Sequence, residues 1–319
     1  MGAPSGKPAI LVGETISGFR IVRELNARAM PTYVARKDGE SSPELVILQR
    51  FQSSDRASAL LRCAADVDHP NVLRIRSYDI AADEVLVIGD LIDGEMLAQI
   101  CPSASEEAPL ELMLRIFVDT LTGLQALHDA RDSTGRPLKL VHGQLARDEI
   151  FVGLDGVARV TNVAKTSVRR DARYVGYLAP EVLSGDDPPD LRADLYSVGV
   201  HLWEALARKR LFDGTVAGQV LAQQVNTPIP RPQVSQEMLW AVPLVELALK
   251  ALSPDRTHRF ASAAEMSEAI VRAAGAGKIG ENSAVGALVE SLVGSKVRDR
   301  REQLSVPLAR SPSSSTVRR

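Results

Sequence analysis

The stretch from Val141 to Asn162 constrains the fold of this chain more than any other part of its sequence. It reads VHGQLARDEIFVGLDGVARVTN, a polar loop followed by two short apolar runs around a Leu-Asp-Gly turn. The positions of its polar residues, more than its composition, make this stretch informative.

This loop resembles the catalytic loop of protein kinases, whose signature is H-R-D-L-x-x-x-N, followed by a hairpin and then D-F-G. His142 and Leu145 stand where that pattern has them. The reacting positions differ, and their occupants here are Gly143 for the arginine, Gln144 for the catalytic aspartate, Glu149 for the asparagine and Asn162 for the D-F-G aspartate. The chain thus resembles a bacterial Ser/Thr protein kinase whose reaction centre has been replaced, that is, a pseudokinase.

The resemblance implies an α+β, two-lobed fold. A small lobe of antiparallel strands and one helix is expected over residues 18–93, and a larger, mainly helical lobe over residues 94–274. A chain of 319 residues with 45% hydrophobic content is long enough to build both. Residues 1–17 are expected to be an extension. Residues 275–319 are expected to hold a flexible break, an amphipathic helix over 283–304 and a disordered, basic and Ser-rich tail.

The turn that would hold the ATP phosphates lacks the family's glycines. In the family the first two strands are joined by G-x-G-x-x-G, because a bare backbone can close over the phosphates. Here Asn26, Arg28 and Pro31 occupy or closely flank the glycine positions, and Pro31 has no N–H to donate. Arg28 could replace the charge of a missing lysine, but a solvated turn arginine is the interpretation we favour. A working phosphate-binding loop is therefore not expected.

The lysine–glutamate pair of the small lobe is also expected to be absent. The strand from Glu44 to Phe51, ELVILQRF, matches the family's lysine strand, and Gln49 stands at the lysine position. In the next helix, counting back from Asp68 of D-H-P-N puts Leu60 at the position of the glutamate. A neutral glutamine binds phosphate less strongly than a cation does, and a lone buried charge would cost about 3–5 kcal/mol. Loss of both members together is therefore physically reasonable, because loss of only one would leave the other as an unpaired buried charge.

The last strand of the small lobe is predicted over Val85–Asp93 and is expected to continue into the hinge. Gly89, Asp90 and Leu91 would form this hinge region. Gly89 falls at the gatekeeper position, which is normally bulkier in the family, or within one residue of it.

Four residues that hold the family's architecture are retained. His142 begins the catalytic loop, and Asp194 matches the buried aspartate that holds the backbone of that loop. Glu181 belongs to the family's A-P-E motif, and Arg259 matches its arginine partner. Tyr174 stands instead of the threonine that would touch the catalytic aspartate, so that contact is lost at both ends. The residues that hold the fold are present, whereas those that do the chemistry are replaced.

Glu149 and Asn162 are weak candidates for metal binding, because a carboxylate and an amide have exchanged positions there. Mg²⁺ requires nearly ideal octahedral geometry, and glutamate is one methylene longer than the asparagine it replaces. Asp148 lies next to Glu149 and could assist. We expect no cofactor, with ATP and Mg²⁺ binding weak or absent.

Two features outside the loop carry open interpretations. Thr166 and Ser167, beside Arg169 and Arg170, could be phosphorylated, although a solvated loop is favoured. A stripe at helical spacing near the C-terminus favours a helix docked on the large lobe over a partner-binding helix with a basic edge. Its members are Val285, Leu288, Val289, Leu292, Val293 and Val297.

The formal net charge of −2 gives no reason to expect nucleic acid or an anionic membrane as a partner. Two cysteines imply no disulfide framework. No apolar run reaches the roughly 18 residues of a membrane span, and the first residues lack a signal-peptide pattern. We therefore expect a cytoplasmic protein.

Three functional hypotheses remain, in order of preference. The first is a regulatory or scaffold pseudokinase that binds another signalling protein, such as an active kinase or its substrate. The alternative is an ATP-binding, kinase-like enzyme with a relocated or residual site for phosphoryl or nucleotidyl transfer, using Arg28, Asp148 and Glu149. The third is a switch that binds nucleotide without catalysis.

Overall fold

The computed structural model describes residues 12–26, 32–38, 45–52, 55–81, 84–102, 108–161, 171–185, 188–214 and 216–305. These residues form two compact units. The first unit takes the described residues within 12–52, 75–92 and 296–305, and the second takes those within 55–74 and 93–295. The division differs from the contiguous lobes drawn on the sequence, because residues 55–74 pack with the second unit.

The first unit is a six-stranded antiparallel sheet, with strand order β1-β2-β3-β4-β6-β5. Its strands are β1 Thr15–Ile16, β2 Phe19–Asn26, β3 Thr32–Lys37, β4 Leu45–Gln52, β5 Ile75–Ile80 and β6 Glu84–Asp90. Tyr33 pairs with Leu48, and Leu48 pairs with Ile88 on the next strand, so buried side chains line one face. A slip of one residue would turn that face to solvent, which fixes the register.

The second unit contains nine helices within its described residues and a further, longer helix that begins in it. The nine are α1 Asp55–Ala65, α2 Leu97–Ile100, α3 Leu110–His128, α4 Ala172–Val175, α5 Pro180–Ser184, α6 Arg192–Ala207, α7 Ala217–Asn226, α8 Val242–Ala251 and α9 Ala263–Ala274. A three-stranded antiparallel sheet accompanies them, made of β7 Gly94–Met96, β8 Ile150–Gly153 and β9 Ala158–Val160. The predicted α+β class, with a sheet unit and a mainly helical unit, is confirmed.

Helix α6 is the central element of the helical unit. Thirteen of its sixteen residues are buried, as expected for a helix that is apolar on all sides. A Cβ at Gly199 would lie 2.7 Å from the Cβ of Ala251, so a glycine is required where α6 passes α8. The polar residues that α6 carries are therefore held inside the unit.

The last helix, α10 Asn282–Ser305, is close to the predicted range of 283–304. Val285, Val289, Val293 and Val297 are buried along it at a spacing of four residues. Leu292 is 50% exposed, so its place in the predicted stripe is wrong, because a helix turns about 100° between Leu292 and the buried Val293.

The first turn of α10 is docked on the loop between β8 and β9. The Asn282 side-chain amide donates to the Gly156 carbonyl at 3.1 Å and to Asp119 Oδ2 at 3.0 Å. Gly156 has a φ of 74°, and a Cβ there would lie 1.7 Å from the Asn282 carbonyl oxygen. This part of the helix is therefore docked, as the favoured interpretation of the stripe expected.

None of the helices in the described ranges combines the length and the apolar character that crossing a membrane requires.

Candidate functional site

Asp194 of α6 holds the loop that precedes β8. Its Oδ1 accepts from the Gly143 N–H at 2.6 Å, and its Oδ2 accepts from the His142 N–H at 3.0 Å. His128 Nε2 lies 2.9 Å from the same Oδ2. Gly143 adopts a φ of 73°, which favours glycine, and this conformation lets two successive N–H groups reach one carboxylate.

The Asp194 carboxylate is fully buried and ionised. Burial would raise its pKa, but the hydrogen bonds from His128 and from the Gly143 N–H help to hold the pKa below its ordinary value. A buried carboxylate is tolerated where hydrogen bonds replace its hydration. Because the Asp194 carboxylate is buried away from water, it is the hydrogen bonds to the loop backbone that stabilise its charge, and they fix that backbone in return.

His142 ties the loop to the end of β9. Its Nε2 lies 2.8 Å from the Thr161 carbonyl oxygen, and its Nδ1 accepts from the Gln144 N–H at 3.3 Å. A neutral imidazole satisfies both contacts, with Nε2–H as donor and Nδ1 as acceptor. The loop is therefore held from both directions, by α6 and by the chain that leaves the hairpin.

Gln144 and Glu149, which the sequence comparison with the catalytic loop predicts at the positions of the catalytic aspartate and the asparagine, are both buried. Gln144 is 4% exposed and Glu149 is 0% exposed. The Glu149 N–H donates to the Ala146 carbonyl at 2.9 Å, and the Glu149 carbonyl accepts from the Thr161 N–H at 3.0 Å. Glu149 ends a 3₁₀ turn over Arg147–Glu149 that leads directly into β8.

Asp148 is the more accessible acid of this turn. Its side chain is 26% exposed and lies 4.0 Å from Arg173 Nη1. Arg173 belongs to α4, whose next residue, Tyr174, is 1% exposed. Tyr174, which is predicted to stand in place of the family's threonine, is therefore a core side chain.

A buried charge cluster beneath the loop was missed by sequence reasoning. Arg147, 5% exposed, donates to the Cys101 carbonyl at 2.7 Å and lies 3.3 Å from Glu204 Oε2. The same Glu204 oxygen accepts from the Tyr177 hydroxyl at 2.9 Å and from Arg210 at 3.2 Å. Burial first, and then the Glu204 charge, raise the pKa of Tyr177, so its hydroxyl stays protonated and donates. The signal available in the sequence was Glu204, which stands among apolar residues near the end of α6.

His201 lies beside this cluster and supports the loop from below. Its Nε2 lies 3.1 Å from the Leu145 carbonyl oxygen, and its ring stacks on Tyr177 at a centroid distance of 4.5 Å. Burial, and then the positive charge of Arg147, lower the pKa of His201 to about 3. His201 is therefore neutral under physiological conditions and donates its Nε2–H to the loop.

Glu181 and Arg259 form a bidentate ion pair. Arg259 Nη1 and Nη2 lie 2.7 and 2.9 Å from the two Glu181 oxygens. Arg259 also donates to the Ser253 carbonyl at 2.8 Å, and its side chain is 0% exposed. The pair joins α5 to the segment before α9.

The segment before α9 ends in a variant of a capping box. Ser262 Oγ accepts from the Glu265 N–H at 3.0 Å. The Glu265 carboxylate accepts from the Ala261 N–H at 2.7 Å, one residue before the cap. The Glu265 side chain therefore bonds to the backbone N–H of Ala261, and not to that of the cap residue Ser262 itself as in a standard capping box.

The two positions predicted to replace the family's lysine–glutamate pair lie in a strand and in a helix. Gln49 sits in β4 between Thr32 and Val87 on the neighbouring strands. Leu60 is partly buried on α1, where the adjacent Leu61 is 0% exposed.

The predicted hinge lies at the end of β6. Gly89 pairs with Ile47 and Ile75 in the sheet. Asp90 forms an ion pair with Arg76, and Leu91 follows the end of the strand.

Several predicted positions lie outside the residues that the structure describes. They are Arg28, Pro31, Asn162, Thr166 and Ser167. Asn26 is the last residue of β2. Among the described residues, no group of three or more histidines, cysteines, aspartates or glutamates is arranged to hold a metal ion.

Known proteins share this sequence pattern. A family model described as "Protein kinase domain" matches residues 46–270. The tyrosine-protein kinase MasK of Myxococcus xanthus is 27% identical over 226 residues, which are 66% of this chain and 34% of that protein. The serine/threonine-protein kinase pkn2 of Myxococcus xanthus is 27% identical over 236 residues, 69% of this chain and 27% of that protein.

A third relative, the serine/threonine-protein kinase PknB of Mycobacterium tuberculosis, is 28% identical over 269 residues, 81% of this chain and 41% of that protein. The chain thus spans between about a quarter and two fifths of the length of these relatives. Because the family model covers more than half of the sequence, and the fold it describes is the one observed, this chain belongs to the protein kinase domain family.

Proposed function

We propose that this chain is a pseudokinase, a regulatory or scaffold member of its family that binds another signalling protein and does not transfer phosphate. The observation that carries the proposal is Gln144, a buried amide at the place of the proton acceptor in a loop that is otherwise fully held. The partner is expected to be a signalling protein such as an active kinase or its substrate.

Phosphoryl transfer in this family needs a base that accepts the proton of the substrate hydroxyl. The base must lie within about 3 Å of that hydroxyl and have a pKa near the working pH. A carboxamide has no such basic site, whichever way it points. The other acid of the turn, Asp148, lies 4.0 Å from the Arg173 guanidinium, which occupies the space beside it.

Metal binding meets a similar difficulty. Mg²⁺ keeps several waters and binds through accessible oxygens in nearly octahedral geometry. The Glu149 side chain has no exposed surface, so it would have to leave its place in the turn to reach a metal ion. This burial argues against the alternative of a relocated transferase site built on Glu149.

The architecture of the loop supports a role that depends on shape. The Asp194 hydrogen bonds and the Glu181–Arg259 ion pair keep the helical unit folded around a loop without its reacting groups. A rigid surface of this kind is what a binding module needs, since preorganisation lowers the entropy lost on association.

The first experiment is a thermal shift of the full chain with millimolar ATP and Mg²⁺. Ligand at about 100 times Kd adds about 2.7 kcal/mol, which is several degrees of Tm for a domain of this size. We expect a shift below about 1 °C, because the phosphate and metal contacts are missing. A shift of about 5 °C or more would contradict the proposal.

The second experiment follows transfer of ³²P from γ-labelled ATP by the purified chain, with Glu149→Ala and Asp148→Asn as site variants. We expect the same background in all three proteins. Incorporation that disappears in either variant would refute the pseudokinase assignment and favour a transferase.

A further inference from the structure

The buried charge cluster beneath the loop has more positive than negative charge. Arg147 and Arg210 are both cations, and within the described residues Glu204 is the one carboxylate that either of them contacts. Tyr177 and His201 do not alter this balance. Burial raises the pKa of the Tyr177 hydroxyl and lowers that of the His201 imidazole, so both side chains are neutral. The cluster therefore has one positive charge in excess.

The Glu204 carboxylate is already occupied by hydrogen-bond donors. Its Oε2 accepts from Arg147 Nη2 at 3.3 Å, from the Tyr177 hydroxyl at 2.9 Å and from Arg210 Nη1 at 3.2 Å. Its Oε1 accepts from the Leu211 N–H at 3.3 Å. The two oxygens of a carboxylate offer about four acceptor sites in all. Glu204 therefore cannot satisfy the remaining N–H groups of the two guanidinium groups.

Arg147 shows this shortage of acceptors directly. Its Nη1 donates to the Cys101 carbonyl at 2.7 Å, whereas its Nε is buried and has no hydrogen-bond partner in the described part of the chain. A buried polar atom without a partner is uncommon and indicates a bound water or ion nearby. Because both guanidinium groups bond to the same Glu204 oxygen, they also lie close enough to repel each other.

Arg210 is the charged member of the cluster that reaches solvent. Its side chain is 35% exposed, against 6% for Arg147 and 2% for Glu204. Its Nη1 is bonded to Glu204 and to the Tyr177 hydroxyl. Among the described residues, no hydrogen bond or ion pair uses its Nε and Nη2, which lie side by side on one edge of the guanidinium. This edge, which we call the Arg210 edge, can bind a carboxylate or a phosphate through two parallel N–H groups.

We propose that the Arg210 edge is a binding site for one anionic oxygen group, a carboxylate or a phosphate, which supplies the negative charge that the buried cluster lacks. The site does not involve the residues at positions 144 and 149, and it does not depend on the pseudokinase assignment. A single, partly exposed guanidinium binds weakly, so we expect a Kd of about 10 mM for a free anion.

The first test is the Tm of the full chain in 0 to about 100 mM inorganic phosphate, with ionic strength held constant by NaCl. A concentration about ten times Kd should raise Tm by about 3 °C. Arg210→Gln should lose this shift. Arg208→Gln is the matched control, because it removes the same charge from an exposed residue two positions earlier, and it should retain the shift. No shift in the natural protein, or an equal shift in Arg210→Gln, would overturn the proposal.

A second variant tests the sign of the charge. Glu204→Gln replaces the cluster's carboxylate with an amide of nearly the same shape, so the excess rises from one positive charge to two. The phosphate Kd should therefore fall at least about tenfold. A cluster with a purely structural role gives no such gain. A phosphate Kd that is unchanged or higher in Glu204→Gln would refute the argument from charge.

The source of the anionic group is distinguished with peptides. A hexaglutamate peptide that binds at least about tenfold more tightly than phosphate, while a hexaglutamine peptide does not bind, assigns the site to an acidic segment of a protein. Binding of phosphate alone assigns it to a free anion, and binding of neither contradicts the proposal. Millimolar ATP lies below the expected Kd, and Arg210→Gln removes any contribution from this site. The proposal can therefore fail independently of the proposed function.

Discussion

Lowering the pH from 7 to 5 should lower the free energy of unfolding of this protein through His201, which is 2% exposed in the folded state. The imidazole is enclosed by Tyr177 and the Leu145 carbonyl, and the charges of Arg147 and Arg210 face it. Burial, reinforced by Arg147, lowers the pKa of His201 to about 3 from an ordinary value of 6.5. Below about pH 6.5 the unfolded chain therefore binds one proton more than the folded chain.

The sign and size of the effect follow from this difference. The contribution of His201 to the free energy of unfolding is fully present above pH 6.5 and is lost as the pH falls towards 3. Linkage between the two pKa values gives a loss of about 2 kcal/mol between pH 7 and pH 5 from this residue alone. That is a large fraction of the roughly 5–15 kcal/mol by which a typical domain is stable.

The assay is urea unfolding at pH 7, 6 and 5 for the natural protein and for His201→Gln. Glutamine can still donate to the Leu145 carbonyl but does not titrate. The natural protein should lose about 2 kcal/mol more than the variant over this range, because all other titrating groups are shared. Parallel pH profiles for the two proteins would refute the argument and show that the His201 pocket admits a proton when folded.

Three other changes test the anchors of the helical unit. Arg259→Leu should destabilise it by about 3–5 kcal/mol, because Glu181 is left without its bidentate partner, and Glu181→Leu in the same chain should restore part of the loss in denaturant unfolding. Asp194→Asn should cost about 1–3 kcal/mol and speed hydrogen exchange at the Gly143 amide, and unchanged exchange there would contradict the described hydrogen bond. Gly156→Ala should release the first turn of α10, because its Cβ would lie 1.7 Å from a backbone oxygen of that helix, and hydrogen exchange in α10 should rise while that in α6 does not.

Much of the fold followed from local pattern. The strand predicted over Glu44–Phe51 lies at Leu45–Gln52, and the helix predicted over 283–304 lies at Asn282–Ser305. These predictions work because a helical face or an alternating strand is a property of neighbouring residues.

The features that the sequence did not predict are contacts between residues far apart in the chain and apolar side chains that face solvent. Arg147 and Glu204 are 57 residues apart in sequence and share a buried ion pair, whereas charged residues are ordinarily solvated. In helix α7, Gln223 bonds to the Asp213 backbone while Val225 is 70% exposed. Such arrangements depend on residues that are distant in sequence or on another molecule, and a local sequence pattern gives no information on either.

The two oxygens of Asp194 fix the backbone at His142 and Gly143 without using any side chain of the residues that follow. These two hydrogen bonds end on backbone N–H groups, so they do not use the side chains at positions 144 and 149. Side chains of this loop could therefore be exchanged by mutation while the hydrogen bonds from Asp194 still hold its backbone.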